Sequence, residues 1–233
     1  MISGVNYIKK GVREILFPHV CEICGKQLTE AYSFVCETCL NSRFERAGDI
    51  QYEVSSQLII PESIEFIFSM WKFDKGGYLQ DLLHNLKYHH LSGVGEDLGK
   101  QLGKELVQKK PSLNNEDILL VPVPLHQRKE KLRGFNQARL IAKGVKKSTG
   151  LELIPKGSVT RIKNTRTQTG FSLKKRNENI QNAFLITDPG VVNKKTCLII
   201  DDVFTTGATT YELSKTLKKA DSGKILIATV ACA

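Results

Sequence analysis

The sequence predicts an α/β fold, a mostly parallel sheet with helices on both faces, preceded by a small four-cysteine zinc module. Beyond residue 50, strand-like apolar segments alternate with amphipathic helical segments, the order typical of parallel sheets. Four of the six cysteines fall within 19 residues near the N-terminus. We therefore predict two domains, 1–50 with an N-terminal helix and the zinc module, and 51–233 with the sheet.

The strands are predicted from short apolar runs and the helices from apolar residues that recur every three or four positions. Leucines at helical spacing mark the first two helices of the larger domain, and Gly150 follows the end of the third. The predicted strands are 64–71, 118–123, 183–186, 196–200 and 224–230. The predicted helices are centred on 79–86, 98–106, 135–148 and 208–220. No element is assigned to 156–176, which fits an active-site loop.

The chain has the composition of a globular protein, with 41% hydrophobic and 25% charged residues. No apolar run approaches the roughly 20 residues of a membrane span. The charges in 1–17 do not suit a signal peptide, so we expect a cytoplasmic protein. Those residues predict a short amphipathic helix, which packs either on its own domain or on a membrane surface.

The net charge of +10 is concentrated in one part of the chain. Residues 126–180 contain 15 Lys and Arg against three Glu. Such a region predicts an anionic partner, either a polyphosphate, a nucleic acid or both. A solvated surface is the alternative.

The clustered cysteines form two CxxC pairs separated by eleven residues. Each pair directs two thiolates at one point, and two pairs supply the four soft ligands of a closed structural zinc site. Redox dithiols or free thiols are the alternatives. The two remaining cysteines lie in apolar strand patterns and are predicted to be small buried hydrophobes. The predicted zinc ligands are Cys21, Cys24, Cys36 and Cys39.

The segment 197–209 carries the clearest chemistry, because an apolar strand runs into two aspartates, a threonine–glycine turn and a helix. Ligands of open α/β sheets bind beyond the carboxyl ends of strands. Backbone N–H groups at the start of a helix suit a phosphate monoester, and carboxylates suit a vicinal diol or a nearby divalent cation. An ordinary helix start with a Thr cap is the alternative. The candidate residues are Asp201 and Asp202 for the diol, and Thr205, Thr206, Gly207, Ala208 and Thr209 for the phosphate.

This segment resembles the PRPP-binding motif of type I phosphoribosyltransferases, in which the acidic pair contacts the ribose hydroxyls and the loop holds the 5-phosphate. Further motifs, in the same order over almost the whole chain, resemble the ComF family. They are LFP at 16–18 before the cysteines, LKY at 86–88, PVPLH at 122–126, RGFNQ at 133–137, NTRTQ at 164–168, RNEN at 176–179 and AF at 183–184.

The resemblance implies a type I phosphoribosyltransferase fold and roles for further residues. A loop after the 118–123 strand would bind pyrophosphate, with Leu125, His126, Arg128 and Arg133 as candidates and Arg139 as a second arginine. A mobile closing loop would contain Arg166, Gln168 and Arg176. For each of these residues, the alternative to a binding role is an exposed position on the protein surface. Lys87 and Tyr88 would cover the acceptor, or Tyr88 would pack in the core of its helix.

The expected function is therefore that of a ComF-like phosphoribosyltransferase associated with DNA uptake and natural transformation. It would bind Mg²⁺–PRPP and transfer phosphoribosyl to an acceptor that the sequence does not identify. The alternative is a non-catalytic protein that senses PRPP or binds single-stranded DNA and docks a competence helicase or translocase. Its basic stretch would then grip DNA, with Phe135 or Phe171 as a stacking face.

Overall fold

Five parallel strands form the main sheet of the computed structural model, which describes residues 19–28, 33–48, 60–88, 91–115, 117–165 and 179–233. Its strands are β1 (Ile64–Lys72), β2 (Ile118–Pro122), β3 (Glu152–Leu153), β6 (Thr196–Phe204) and β7 (Ile225–Cys232). Their order is β1-β7-β6-β2-β3. Two short strands, β4 (Val159–Arg161) and β5 (Phe184–Ile186), pair antiparallel outside this sheet.

Helices cover both faces of the sheet, as the continuous apolar strands require. The helices are α1 (Glu37–Ser42), α2 (Tyr78–Tyr88), α3 (Ser92–Lys109), α4 (Gln127–Arg133), α5 (Gln137–Thr149) and α6 (Ala208–Lys219). Alternate residues of β6 enter different cores: Leu198 and Ile200 pack with α2, α3 and α5, whereas Cys197 and Ile199 pack with α6. This alternation follows from the two-residue period of a strand. The predicted α/β sheet with helices on both faces is confirmed.

Helices α3 and α5 approach each other closely because glycines face one another across the contact. A Cβ atom on Gly99 would lie 2.0 Å from the carbonyl oxygen of Ile141, and one on Gly144 would lie 2.2 Å from the carbonyl oxygen of Glu96. The pair therefore forms a rigid layer. This layer fixes the start of α5 beside the carboxyl end of β2.

Most predicted elements are confirmed. The short strands β3 and β4 were not predicted, and β6 continues beyond Ile200 through the acidic pair to Phe204. Further differences concern α5, the 183–186 segment and α4. Helix α5 begins at Gln137 rather than at 135, because the side chain of Asn136 caps it by accepting from the N–H of Arg139 at 3.4 Å. The 183–186 segment forms a strand, but it pairs with β4 instead of joining the main sheet. Helix α4 was not predicted, because none of its residues is buried and it has no apolar stripe.

The cysteine segment packs directly on α3. The carboxylate of Asp97 accepts the N–H groups of Phe34 at 2.6 Å and Val35 at 3.3 Å. The Phe34 ring lies against Gly93, where a Cβ atom would be 1.9 Å from the ring. The cysteine segment also shares a hydrophobic core with the sheet, in which Phe44 and Trp71 have ring centroids 4.6 Å apart. The domain boundary near residue 50 and the predicted N-terminal helix lie outside the described residues.

Within the described part of the chain, every helix is too short or too polar to cross a lipid bilayer.

Candidate functional site

The acidic pair lies at the point where the strand order of the sheet reverses. β2 and β6 are neighbours in the sheet. The next strand in the sheet after β2 is β3, on one side of this pair, and the next strand after β6 is β7, on the other side. Pairing between β2 and β6 stops at Pro122 and Ile200. Asp201 is therefore the first residue of β6 beyond the end of β2, in the crevice where open α/β sheets bind ligands.

The turn from β6 to α6 presents unused backbone donors. Gly207 has a φ of +71°, a conformation that L side chains rarely adopt. No described residue accepts a hydrogen bond from the N–H groups of Thr205, Thr206 or Gly207. The N–H of Ala208 has only a long contact of 3.5 Å with Thr206 Oγ1. Thr209 is half-buried in the first turn of α6. Unused donors at a helix start form a site suited to an anion such as phosphate.

The two aspartates have different environments. Asp202 is buried and forms an ion pair with Lys87. Asp201 is half-buried, and its Oδ1 atom accepts the backbone N–H of Asp202 at 2.9 Å. Burial and the neighbouring Asp202 charge hold the pKa of Asp201 well above its usual range. Burial alone would also raise the pKa of Asp202, but Lys87 brings it below the usual value. Asp202 therefore favours the ionised form, and Asp201 favours the protonated form.

The end of α2 connects both halves of the site. Lys87 reaches Asp202 on β6, while the neighbouring Tyr88 ring lies 5.3 Å from the guanidinium of Arg133 on α4. Tyr88 is 56% exposed, so the prediction that it packs in the helix core is wrong. Its apolar neighbours Leu82, Leu83 and Leu86 face the core, and the helical turn carries Tyr88 away from that face.

The predicted pyrophosphate loop follows β2, and one of its side chains is already in use. His126 caps α4, with its Nδ1 atom accepting the N–H of Arg128 at 3.2 Å. Leu125 is half-buried and the Arg128 side chain is exposed. Arg133 donates to Gln137 Oε1 at 3.0 Å and lies over Tyr88. Of these four candidates, Arg133 is the one that contacts the end of α2.

Two cations near this loop were not among the predicted site residues. Lys129 donates to the carbonyl oxygen of Thr165 at 2.9 Å, and Arg161 donates to the hydroxyl of the same residue. The Nε atom of Arg161 is buried and has no hydrogen-bond partner among the described residues. Neither side chain lies in an ion pair with a described carboxylate. The sequence offered only their membership of the basic stretch as a signal.

Their electrostatics indicate an incompletely neutralised positive cluster. Burial lowers the pKa of Lys129, and the charges of Arg161 and Arg133 lower it further. Burial also lowers the pKa of Arg161, although the Asp201 charge partly opposes this. We call Lys129, Arg133 and Arg161 the basic cluster. Crowded cations that disfavour one another are stabilised by a bound anion.

A cleft of about 810 Å³ opens between the segments 122–139 and 154–162. Its lining includes His126, Arg139 and Arg161, but neither aspartate nor the β6–α6 turn. Arg139 donates to the carbonyl oxygen of Ile154 at 3.2 Å. The cleft therefore adjoins the basic cluster, and the acidic pair is not part of its lining. The predicted mobile-loop residues Arg166, Gln168 and Arg176 lie outside the described residues.

The four predicted zinc ligands come together. The sulfur atoms of Cys21, Cys24, Cys36 and Cys39 all lie within 4.8 Å of one another. The Cys24 and Cys36 sulfurs are 3.8 Å apart, close to the separation expected in a tetrahedron with zinc–sulfur bonds of about 2.3 Å. Backbone N–H groups point at the cluster, with Cys36 donating to the Cys21 sulfur at 3.3 Å. The cluster is compatible with zinc.

Of the other two cysteines, Cys197 is fully buried as predicted, whereas Cys232 is only partly buried.

The chain is similar to proteins that are named competence proteins or DNA utilization proteins. It is 29% identical to Competence protein F of Haemophilus influenzae over 205 residues, which cover 87% of this chain and 80% of that protein. It is 31% identical to the DNA utilization protein YhgH of Escherichia coli over 151 residues, or 64% of this chain and 65% of that protein. Competence protein ComFC of Bacillus subtilis is 31% identical over 104 residues, or 44% of this chain and 39% of that protein.

Solved structures with a similar chain course include an allosteric regulatory enzyme of purine biosynthesis, with 20% identity, a TM-score of 0.38, and coverage of 58% of this chain and 26% of that one. A hypoxanthine-guanine phosphoribosyltransferase from Schistosoma mansoni has 17% identity, a TM-score of 0.31, and coverage of 59% and 55%. The sequence matches no protein-family model. The sequence relatives and the four-cysteine cluster confirm the motif-based resemblance of this chain to the ComF family of competence proteins.

Proposed function

We propose that this chain binds Mg²⁺–PRPP at the β6–α6 turn, transfers phosphoribosyl to an acceptor, and thereby serves DNA uptake or use, as the names of its relatives suggest. The observation that carries the proposal is the set of unused N–H groups at Thr205, Thr206 and Gly207, next to the acidic pair. A phosphate holder beside a diol holder suits a ribose 5-phosphate.

Three parts of the site would each hold one part of PRPP. The turn would hold the 5-phosphate. Asp201 would accept from the ribose hydroxyls, because Asp202 is already bound to Lys87. The basic cluster would hold the pyrophosphate, since an arginine N–H without a partner suits a phosphate oxygen.

The proposed reaction breaks the bond between C1 of the ribose and the pyrophosphate oxygen. The pyrophosphate leaves with the bonding electron pair, and a lone pair of the acceptor forms the new bond to C1. Positive charge develops on the sugar as the bond breaks, as in glycoside chemistry. The basic cluster would stabilise the growing negative charge on the leaving group, which is the main task of such a site.

A magnesium ion fits the oxygen ligands of this region, because carboxylate and phosphate oxygens are its preferred partners. When bound, it would neutralise charge on the pyrophosphate. The carboxylates of Asp201 and Asp202 are the residues that would lie nearest to it.

Calorimetry with PRPP and Mg²⁺ tests the binding part of the proposal. The double variant Asp201→Asn, Asp202→Asn is expected to lose PRPP binding and to remain folded. Asp81→Asn is the matched control, because Asp81 is an exposed aspartate on α2, and it should bind as the wild type does. Unchanged affinity in the double variant would refute the ribose assignment. A screen for Mg²⁺-dependent pyrophosphate release then identifies the acceptor.

A binding protein without turnover is the second candidate, and the basic cluster beside the exposed Tyr88 ring favours it. Single-stranded DNA would place phosphates on the cluster and a base on the ring. Such binding weakens steeply as salt rises. Salt-dependent DNA binding without pyrophosphate release with any acceptor would favour this candidate, in which the chain senses PRPP and docks a helicase.

A further inference from the structure

The side chain of Lys87 reaches the acidic pair from helix α2, outside the sheet. It is the penultimate residue of α2, and its ammonium group contacts the Oδ2 atom of Asp202. The side chain of Lys87 is 24% exposed and that of Asp202 is 9% exposed. An ion pair so far removed from solvent is held more firmly than a surface pair.

The charges that act on Lys87 come from two elements, β6 and α4. Asp201 and Asp202 on β6 attract it, while Arg133 on α4 repels it. Arg161 on β4 also feels the charge of Asp201, yet it lies beyond ion-pair distance of that carboxylate. Among the described residues, Lys87 is the cation in direct contact with the pair. The pair therefore already carries a counter-ion when no ligand is bound.

We propose that Lys87 is a positioning residue that serves as the resident counter-ion of the acidic pair and excludes a divalent metal until a phosphate-bearing ligand enters. A divalent ion binds through several oxygen atoms, and one of the four carboxylate oxygens is in contact with the lysine. A second cation beside the ammonium group would also be repelled strongly at such short range. The identity of the ligand rests on the proposed function, whereas the exclusion of metal does not.

The contact between Lys87 and Asp202 would also make the end of α2 sensitive to a bound ligand. A phosphate-bearing ligand brings its own negative charge to the site and competes with Asp202 for Lys87. The next residue, Tyr88, has its ring 5.3 Å from the guanidinium of Arg133, which belongs to the basic cluster. Lys87 thus connects the acidic and basic halves of the site.

Manganese binding to the full-length protein without PRPP tests the inference, with Mn²⁺ followed by electron paramagnetic resonance. The wild type is expected to show no Mn²⁺ site that depends on Asp202. Lys87→Met should gain one site, with affinity roughly tenfold or more above the wild type, because one repelling charge is gone. Adding Asp202→Asn to that variant should remove the site. Lys143→Met, which removes an exposed lysine on α5, should change nothing.

Lys87→Met also leaves a buried carboxylate unpaired, which strongly destabilises folded proteins. If that variant does not fold, recovery of folding in Lys87→Met, Asp202→Asn supports the counter-ion role, and failure to recover overturns it. Wild-type protein that binds Mn²⁺ in an Asp202-dependent way without ligand overturns the inference, whatever PRPP does. Wild-type protein that binds neither Mn²⁺ nor PRPP leaves the inference standing and removes the proposed function.

Discussion

Replacing Gly207 by Ala tests the geometry of the β6–α6 turn directly. Gly207 has a φ of +71°, and an added Cβ atom would lie 2.5 Å from Cζ of Tyr211. The left-handed conformation costs a non-glycine residue about 1 to 2 kcal/mol. Overpacking adds about 1 to 3 kcal/mol. The Tyr211 ring cannot swing away freely, because it packs edge-on against Phe204 at 6.0 Å and its hydroxyl is buried.

The expected loss in the free energy of unfolding is therefore about 2 to 5 kcal/mol. For a chain of this size, that loss lowers the urea midpoint by roughly 1 to 2 M. Gly150→Ala is the matched control, because Gly150 has a φ of +77° and nothing lies within 4 Å of its added Cβ. It should lose only the conformational part, about 1 to 2 kcal/mol.

Adding Tyr211→Ala to Gly207→Ala separates strain from crowding. The second substitution should lower the cost of the first, so that the two changes are not additive. Equal destabilisation by Gly207→Ala and Gly150→Ala would refute the contact between the Tyr211 ring and the turn. Calorimetry on Gly207→Ala should also show weaker PRPP binding, because the N–H groups of the turn would no longer converge.

Two further outcomes are expected. Asp201→Asn should raise the free energy of unfolding at pH 7 and leave it unchanged below about pH 3, as measured by urea denaturation. The reason is that at pH 7 the Asp201 carboxyl ionises readily in the unfolded chain, whereas its raised pKa opposes ionisation in the folded protein. Equal gains at both pH values would contradict the raised pKa. Cys36→Ser with Cys39→Ser should release zinc and lower the melting temperature while PRPP binding persists, because the cysteines share the core of the sheet but make no described contact with the β6–α6 turn. Loss of PRPP binding in otherwise folded protein would show that the cysteine segment supports the turn.

Sequence patterns predict the local features of this protein well. Apolar runs located the strands, CxxC spacing located the four cysteines that form the cluster, and the segment 197–209 contained its own turn, acidic pair and helix start. Each of these depends on residues that are close in sequence. Helix α4 escaped prediction because it is held by the His126 cap rather than by an apolar stripe.

The contacts that decide the chemistry join distant segments and leave no local pattern. Lys87 and Asp202 meet only because α2 packs beside the carboxyl end of β6. Arg161 meets His126, at the end of the predicted pyrophosphate loop, through a single parallel bridge between distant parts of the chain. The position of neither Lys87 nor Arg161 follows from residue spacing in the sequence. Sequence analysis therefore finds the motif on β6 but not the positively charged side chains around it.

The distribution of buried charge supports a ligand at this end of the sheet. Isolated buried charges are costly, and a chain selected for stability alone would replace them by apolar residues. Here Asp201 carries a raised pKa, and Lys129 and Arg161 of the neighbouring basic cluster carry lowered ones. A ligand with both hydroxyl groups and phosphates would relieve all three at once, because it offers donors to the carboxylate and negative charge to the cations. A purely anionic ligand would relieve the cations but would offer no hydroxyl donor to Asp201. The mixed character of the site therefore favours a sugar phosphate over inorganic pyrophosphate alone, and wild-type protein should bind PRPP more tightly than pyrophosphate at equal Mg²⁺.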